Sequence, residues 1–553
     1  MQVDTVPTLA PARGAYARRA WADAFELFRR ADEIAPLGID DLERLMWSAG
    51  MLDRDSELFA ACERLFNACA EAGRHDRAAH WAFFHAFRLF ALREQGRATA
   101  WMQRAQQHAE RFGGECAARG YLLLPVAMKH LATGDFAAAA ENAAEALAVG
   151  ERCREVDLAA FAKCLLGRAW VRQGKVDEGV GMLDAAMLVA VGGVLSPIIT
   201  GLIYCNLIAT CRQVYALDRS REWTGVLSEW CQSQPQLIQF NGLCRLHRAE
   251  ILEVNGAWQE AIAEARRATN SHAHAHALAA ETQAGAAYQE AEIHRLRGEF
   301  GAAEDRYREA SRLGLEPQPG MALLRLAQGQ GAQAAATLRR VLAATVDPLG
   351  RARLLPAIVE IMLAIDSADE AREAAAELEQ IAGRFATAIL SAMACQARGE
   401  VELAGGQPAA ALGHLRAALA TWQEAGAPYL AARLRVRLGR ACRFLGDEDG
   451  ARLEFDSARG AFERLGAASD LAQLEALSAA APAAAAAPAG NGLTQREIQV
   501  LGLVAAGKTN KRIALDLGLS EKTIDRHVSN IFVKLGVASR AAATAFAYRH
   551  GLL

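Results

Sequence analysis

Leu519-Ser520-Glu521-Lys522-Thr523-Ile524-Asp525-Arg526-His527-Val528-Ser529-Asn530-Ile531-Phe532-Val533-Lys534-Leu535 is the stretch on which the reading of this chain turns. Ser520 suits a helix N-cap, because its hydroxyl can accept one of the unpaired N–H groups of a first turn. Ile524, Val528, Ile531, Phe532 and Leu535 then recur at helical spacing and form one apolar stripe. Lys522, Asp525, Arg526 and Ser529 fall on the other face, and all can hydrogen-bond base edges or phosphates. Gly536 is placed to close the helix as the residue after its C-cap. The pattern predicts a helix that buries one side and offers the other to a major groove.

Outward from this run the punctuation is regular. Thr494 and Glu497 have capping-box spacing, and Ile498, Leu501 and Ala505 continue an apolar face as far as Gly507. A second helix is expected from Thr509 or Asn510, burying Ile513, Ala514 and Leu517 and stopping at Gly518. A turn of about three residues leads into the opening helix, which is helix-turn-helix spacing. A fourth helix is expected from Ser539 to His550.

These residues resemble the LuxR-type (NarL/FixJ-like) DNA-binding domain. The likeness is carried by Leu493-Thr494-Gln495-Arg496-Glu497, Val500-Leu501, Ala505 to Ala514, Ser520 to Ile524, His527, Asn530-Ile531, Lys534 to Val537, Ser539-Arg540 and Gly551-Leu552-Leu553. It implies binding of double-stranded DNA as a homodimer, with the fourth helix contributing to pairing. It also implies that Asp525, Arg526 and Ser529 face base edges, and that Thr509, Asn510, Lys511, Lys522, Thr523 and Lys534 lie near phosphates. The position of Asp525 is commonly Lys in this family. Asp525 can either accept from a cytosine amino group or orient Arg526. Arg526, able to be bidentate to guanine, is then the foremost base reader, and His527 reads as a packing or phosphate-side residue.

Gly502 to Thr509 also matches the spacing of a phosphate-binding loop. Such a loop needs a strand before it and a helix opening after it. Here the segment falls in the second half of an amphipathic helix, so nucleotide binding is not expected from it.

Ahead of this tail, Ser478 to Gly492 reads SAAAPAAAAAPAGNG, an Ala tract broken by Pro482 and Pro488 and ended by glycines. It reads as a linker. Residues 18–478 are rich in Ala, Leu, Arg and Glu and read as helix nearly throughout. A glycine turn recurs at Gly73, Gly96, Gly134, Gly174, Gly256, Gly298, Gly331, Gly406 and Gly446, from Gly96 mostly about forty residues apart or twice that. Degenerate members are expected near Ala216-Leu217-Asp218 and Ser367-Ala368-Asp369. A period of this size in an all-helical chain implies stacked helical hairpins, since one hairpin cannot bury its own apolar face. Gly167-Arg168-Ala169-Trp170, Tyr288 with Ala291, Ala303 with Tyr307 and Ala310, and Leu438-Gly439-Arg440-Ala441 resemble tetratricopeptide positions. The array resembles the helical region of large LuxR-family regulators.

Charge separates the two parts. From Asn491 onward nine Lys and Arg face four acids, a tail of +5; with −3 overall, residues 1–490 carry −8. A basic module on an acidic body fits a DNA reader attached to something else. The 11 cysteines include no C-x-x-C pair and read as small buried residues of a reducing compartment. Ala185 to Cys211 carries no charge, but Gly192-Gly193 and Ser196-Pro197 divide it, so it reads as two buried helices rather than a membrane span. His272, His274 and His276 lack a third ligand type nearby and read as a solvated surface rather than a metal site. Trp21, Trp81, Trp170, Trp223, Trp230, Trp258 and Tyr288 read mainly as core.

The expectation is an all-α chain: a tetratricopeptide-like α-solenoid over 1–478, a linker over 479–492, and a four-helix LuxR-type helix-turn-helix domain over 493–553. The corresponding function is a cytoplasmic transcription regulator without catalytic residues, cofactor, metal or membrane span. Its repeats would receive a protein partner or small ligand, and RNA polymerase is a possible further partner. Two alternatives differ in class. One is a signal-transducing NTPase-type LuxR regulator, disfavoured because the repeats start near Ala20 and leave no room for a nucleotide-binding domain ahead of them. The other is a tetratricopeptide scaffold with a non-functional tail.

Overall fold

The structure is a computed structural model that describes residues 9–234, 240–269, 277–479, 493, 495–519, 521–550 and 552. Among these residues the ordered elements are 29 helices. The all-helical stack of hairpins expected from the sequence is the architecture found. Within the repeats each helix packs against its successor, and alternate helices also touch, as His75–Ala91, Ala117–Thr133 and Val156–Gln173 do in turn. Short connections make neighbours antiparallel. The alternate set forms one layer and the intervening helices the other.

The two layers bury different faces. Val156–Gln173 buries Leu158, Phe161, Cys164, Leu165 and Leu166, residues on several sides of its barrel. Phe136–Cys153, in the other layer, buries Ala139, Ala143, Ala146, Val149 and Gly150, a single stripe. Small residues set the spacing between layers. A Cβ on Gly167 would lie 2.7 Å from the carbonyl oxygen of Gly179, and one on Gly439 would lie 2.5 Å from the Phe455 ring.

The forty-residue period is real, but backbone conformation keeps it more faithfully than glycine does. Left-handed residues close the turns at Arg93, Gly134, Gly174, Tyr215, Gly256, Gly298, Gly329, Asp366, Gly406 and Gly446. The two degenerate turns use Tyr215 and Asp366, each at φ 59°. They make the same closing bond as the glycine turns. Ala216 N–H donates to the Cys211 carbonyl at 2.8 Å and Ser367 N–H to Met362 at 2.8 Å, as Lys175 N–H does to Trp170 at 3.0 Å. Two expected turn glycines sit elsewhere: Gly96 lies inside Gln95–Phe112 and Gly331 opens Gly331–Ala344. Arg93 and Gly329 hold the left-handed positions beside them.

The solenoid coils back on itself. Trp21 donates its indole N–H to Gln234 Oε1 at 3.1 Å across 213 residues, and Arg221 donates to the Ala425 carbonyl at 2.9 Å across 204. Arg172 pairs with Asp347 across 175 residues. One superhelical turn therefore takes roughly five hairpins. The named tryptophans follow their expected role: Trp21, Trp81, Trp223 and Trp258 are buried, and Trp170 and Trp230 pack against the core. Tyr288 packs edge-on to buried Tyr307 at 5.6 Å between ring centroids. All 11 cysteines are free thiols. Ala185 to Cys211 is divided between Val176–Val191 and Pro197–Gln213, and no described helix is long and apolar enough to cross a membrane. The three-histidine tract and the linker from residue 480 to residue 492 lie outside the described residues.

Candidate nucleic-acid interface

The tail forms four helices, Gln495–Ala505, Asn510–Leu517, Glu521–Leu535 and Arg540–Arg549. They enclose a core of their own made of Leu493, Val500, Leu501, Val504, Ile513, Ala514, Leu519, Ile524, Val528, Ile531, Leu535, Ala543 and Ala547. Local chemistry starts and stops them. Thr509 caps the second helix by accepting from Arg512 N–H at 3.3 Å, and Ser539 caps the fourth by accepting from Ala542 N–H at 3.1 Å. Gly518 and Gly536 turn the chain at positive φ. Ser520 and Thr494, the two other expected caps, lie outside the described residues.

The apolar stripe of Glu521–Leu535 faces inward, with Ile524, Val528, Ile531 and Leu535 all buried. That burial orients the rest of the helix. Lys522, Asp525, Arg526 and Ser529 are exposed together, and Lys511 is exposed on the helix before. Asp525 accepts a short hydrogen bond from the Asn510 amide. Ser529 Oγ donates to the Asp525 carbonyl at 2.9 Å. Asp525 is thus oriented by Asn510, while Arg526 turns the other way, its Nε 3.1 Å from Asp449 Oδ2 of the repeat region.

The other expected phosphate-side residues divide into held and exposed. Lys534 Nζ lies 2.7 Å from Glu497 Oε2, whose side chain is buried, so it braces the first helix against the third. Asn510 is held from both sides, because its Oδ1 accepts from Arg540. Arg540 also donates to the Lys508 carbonyl at 2.6 Å. Thr509 is exposed as well as capping, and Thr523 is half-buried. His527 is buried, consistent with packing rather than base reading. Burial lowers its pKa, and the neighbouring Asp447 only partly opposes this.

Several residues of this surface carried no assigned role in the sequence reading. Arg496 is buried and donates to the Leu517 carbonyl at 3.2 Å, joining the first tail helix to the end of the second. Arg540 positions Asn510. Asp447 and Asp449 come from the repeats; their signal was an acidic cluster, Asp447-Glu448-Asp449, opposite in sign to the tail. In the stretch with phosphate-loop spacing, backbone N–H groups are used by the helix and its end. Ala506 donates to Gly502 at 2.9 Å, Gly507 to Val504 at 3.0 Å and Lys508 to Leu503 at 3.1 Å. They do not converge on a phosphate.

Parts of this chain are similar to known proteins. Residues 491–547 match the family described as bacterial regulatory proteins, luxR family. The transcriptional regulatory protein LiaR of Bacillus subtilis (strain 168) is 44% identical over 61 residues, 11% of this chain and 29% of LiaR. The uncharacterized transcriptional regulatory protein YhcZ of the same organism is 52% identical over 60 residues, 11% of this chain and 28% of YhcZ. The chain thus spans less than a third of the length of these curated relatives. Among solved structures, the APC/C hetero-tetramer Cut9-Hcn1 superposes with a TM-score of 0.41 at 12% identity, covering 85% of this chain and 89% of that one.

Proposed function

We propose that this chain, whose residues 491–547 form a LuxR-type helix-turn-helix domain, is a DNA-binding transcription regulator. Its tail binds operator DNA in the major groove as a homodimer through Glu521–Leu535, and the helical repeats control it by binding a protein partner or a small ligand. The protein works in the cytoplasm, by positioning two tails and contacting RNA polymerase. It is not an enzyme and needs no cofactor.

One observation carries this reading. The buried stripe of Glu521–Leu535 leaves Lys522, Asp525, Arg526 and Ser529 on one exposed face beside Lys511. A helix so presented fits a groove about 12 Å wide. The exposed Tyr548 on Arg540–Arg549 offers the fourth helix an apolar contact for pairing.

The test is selection of bound duplexes from a random pool by a 488–553 fragment, which contains the tail's own core, followed by titration of two variants. Arg526→Ala is expected to relax the preference at one base pair by about 1–3 kcal/mol. Lys511→Ala is expected to weaken all duplexes alike and to reduce the salt dependence by about one counterion. Equal losses on every sequence from both variants would remove Arg526 as a base reader.

A further inference from the structure

Six alternate helices of the repeats close a ring. Ala277–Leu296, Gly320–Ala327, Pro348–Ala364, Ala388–Ala404 and Pro428–Phe444 touch one after another, and Ala468–Ala479 comes round to touch Ala277–Leu296. Inside lies a cavity of about 530 Å³ to which each of the six contributes. Sites for small organic molecules span about 300–1,000 Å³. Leu323, Leu326, Leu363, Leu403 and Val436 supply an apolar wall. Arg440 and Gln473 also line the cavity and are exposed, so it opens to solvent on their side.

The charges of the lining do not balance. Arg295, Arg433, Arg437 and Arg440 face only three acids, Glu360, Glu400 and Asp470. Three of the arginines are committed. Arg433 pairs with Glu360 and lies 3.7 Å from Asp470. Arg437 pairs with Glu400 and donates to the Arg433 carbonyl at 3.0 Å. Arg295 pairs at 2.6 Å with Glu292, which also accepts from Tyr307 at 2.6 Å. The acids have further partners too: Glu400 accepts from Gln396 at 3.1 Å and Asp470 from Tyr429 at 3.0 Å. Arg440 alone among the four has no hydrogen bond or ion pair among the described residues. Loss of water lowers its pKa, and Arg437 repels it more than Glu400 attracts it.

Packing glycines aim this position inward. A Cβ on Gly399 would lie 2.7 Å from Leu415 and one on Gly439 2.5 Å from Phe455, so both glycines face the outer helix of their hairpin. The next residue, Glu400 or Arg440, is turned by about 100° from that contact and lines the cavity. A guanidinium without an acid, beside an apolar wall, calls for an anion with an apolar body. Its fork matches a carboxylate in two parallel hydrogen bonds. One excess positive charge suits a monoanion, whereas a phosphate dianion would stand uncompensated near Glu400. We propose that the cavity binds a small amphipathic monocarboxylate, with the carboxylate on the Arg440 guanidinium and the apolar body against Leu323, Leu363, Leu403 and Val436. The proposal rests on the reading of the repeats as a receiver and names the class of ligand they receive.

The test is isothermal titration calorimetry on the full chain without DNA. The probes are octanoate and 3-phenylpropanoate, the alcohols with the same apolar bodies, and octyl phosphate. At least one carboxylate is expected to bind, and its alcohol to bind about 10- to 100-fold more weakly. Arg440→Ala should cost the carboxylate the same factor and leave the alcohol unchanged. Arg440→Lys, which keeps the charge without the fork, should fall between. Arg440 has no partner to lose, so neither variant should unfold. Ala404→Trp, at the exposed end of Ala388–Ala404, fills the cavity and should remove carboxylate and alcohol alike. Binding of neither carboxylate at millimolar concentration, equal affinity for acid and alcohol, tighter binding of octyl phosphate, or an Arg440→Ala variant with the parent affinity would each overturn the assignment. DNA binding by the 488–553 fragment is read separately. If the fragment binds DNA and the carboxylates do not bind, only the site falls; if the carboxylate binds through Arg440 and the fragment fails on DNA, the site stands and the regulator reading falls.

Discussion

His85 shows how a buried residue can set the acid tolerance of the whole array. Its ring is fully buried, stacked between Phe59 at 4.7 Å and Trp101 at 4.1 Å. Among the described residues neither ring nitrogen has a hydrogen-bond partner. Burial, with Arg97 and Arg104 nearby, pushes its pKa down from 6.5 to about 4. His80 is pushed down to about 3, again chiefly by burial. The folded state therefore refuses protons that the unfolded chain accepts. This stabilisation is complete above about pH 6.5 and is lost progressively as pH falls toward 4. His85→Phe keeps the stack and removes both the titration and the unpaired nitrogens. It should raise stability at pH 7 by about 1–3 kcal/mol. Its advantage in thermal midpoint should grow between pH 7 and pH 5; an advantage that stays constant would show that His85 does not titrate in this range. At the same scale, sequence could name Asp525 as the unusual position of the reading face. It could not say whether that carboxylate turns to Arg526 or elsewhere. The answer came from Asn510, fifteen residues away and on another helix.

At the scale of the element, helix ends and faces were legible because they depend on neighbours a few residues apart. The apolar stripe of Glu521–Leu535, the cap at Ser539 and the stops at Gly518 and Gly536 follow from spacing alone. The repeat turns were less completely legible. A left-handed C-cap is favoured by glycine but can be held by Tyr215 or Asp366 when the rest of the hairpin demands it. For the same reason Gly96 and Gly331 stand a few residues beyond the left-handed positions, which Arg93 and Gly329 hold. Inside the helices glycine has another use. Gly167 and Gly179 face each other at backbone contact. Gly167→Ala, which on an isolated helix would be stabilising, should here cost about 1–3 kcal/mol by forcing the hairpin apart. Chemical denaturation of the two forms reads this directly, and a stabilised variant would mean that the layers separate without cost.

At the scale of the molecule, the array behaves as a coil with contacts between successive turns. Trp21 is buried and bonded to Gln234, 213 residues later. In an open linear array a change at Trp21 would be felt only by adjacent hairpins. In this coil, Trp21→Ala should cost about 3–5 kcal/mol. It should also speed amide exchange in Leu217–Gln232, which leads into Gln234. Exchange confined to the first hairpins would argue against coupling between turns. The same closure gives the tail a fixed neighbour. A hairpin near the end of the coil is where Asp449 meets Arg526 and Asp447 comes near His527.

The sequence by itself determined the helical period, the stacked-hairpin architecture and the helix-turn-helix tail. Each is written in residues close enough along the chain to share a helix face or a turn. It also determined which face of Glu521–Leu535 is polar, since burial of Ile524, Val528 and Ile531 leaves no choice. Only the tertiary structure decided how many hairpins make a turn of the coil, which partner holds Asp525, and that Arg526 lies against an acidic turn of the repeats. Those depend on small rotations accumulated over some two hundred residues and on charges brought together from opposite parts of the chain. No local spacing records them.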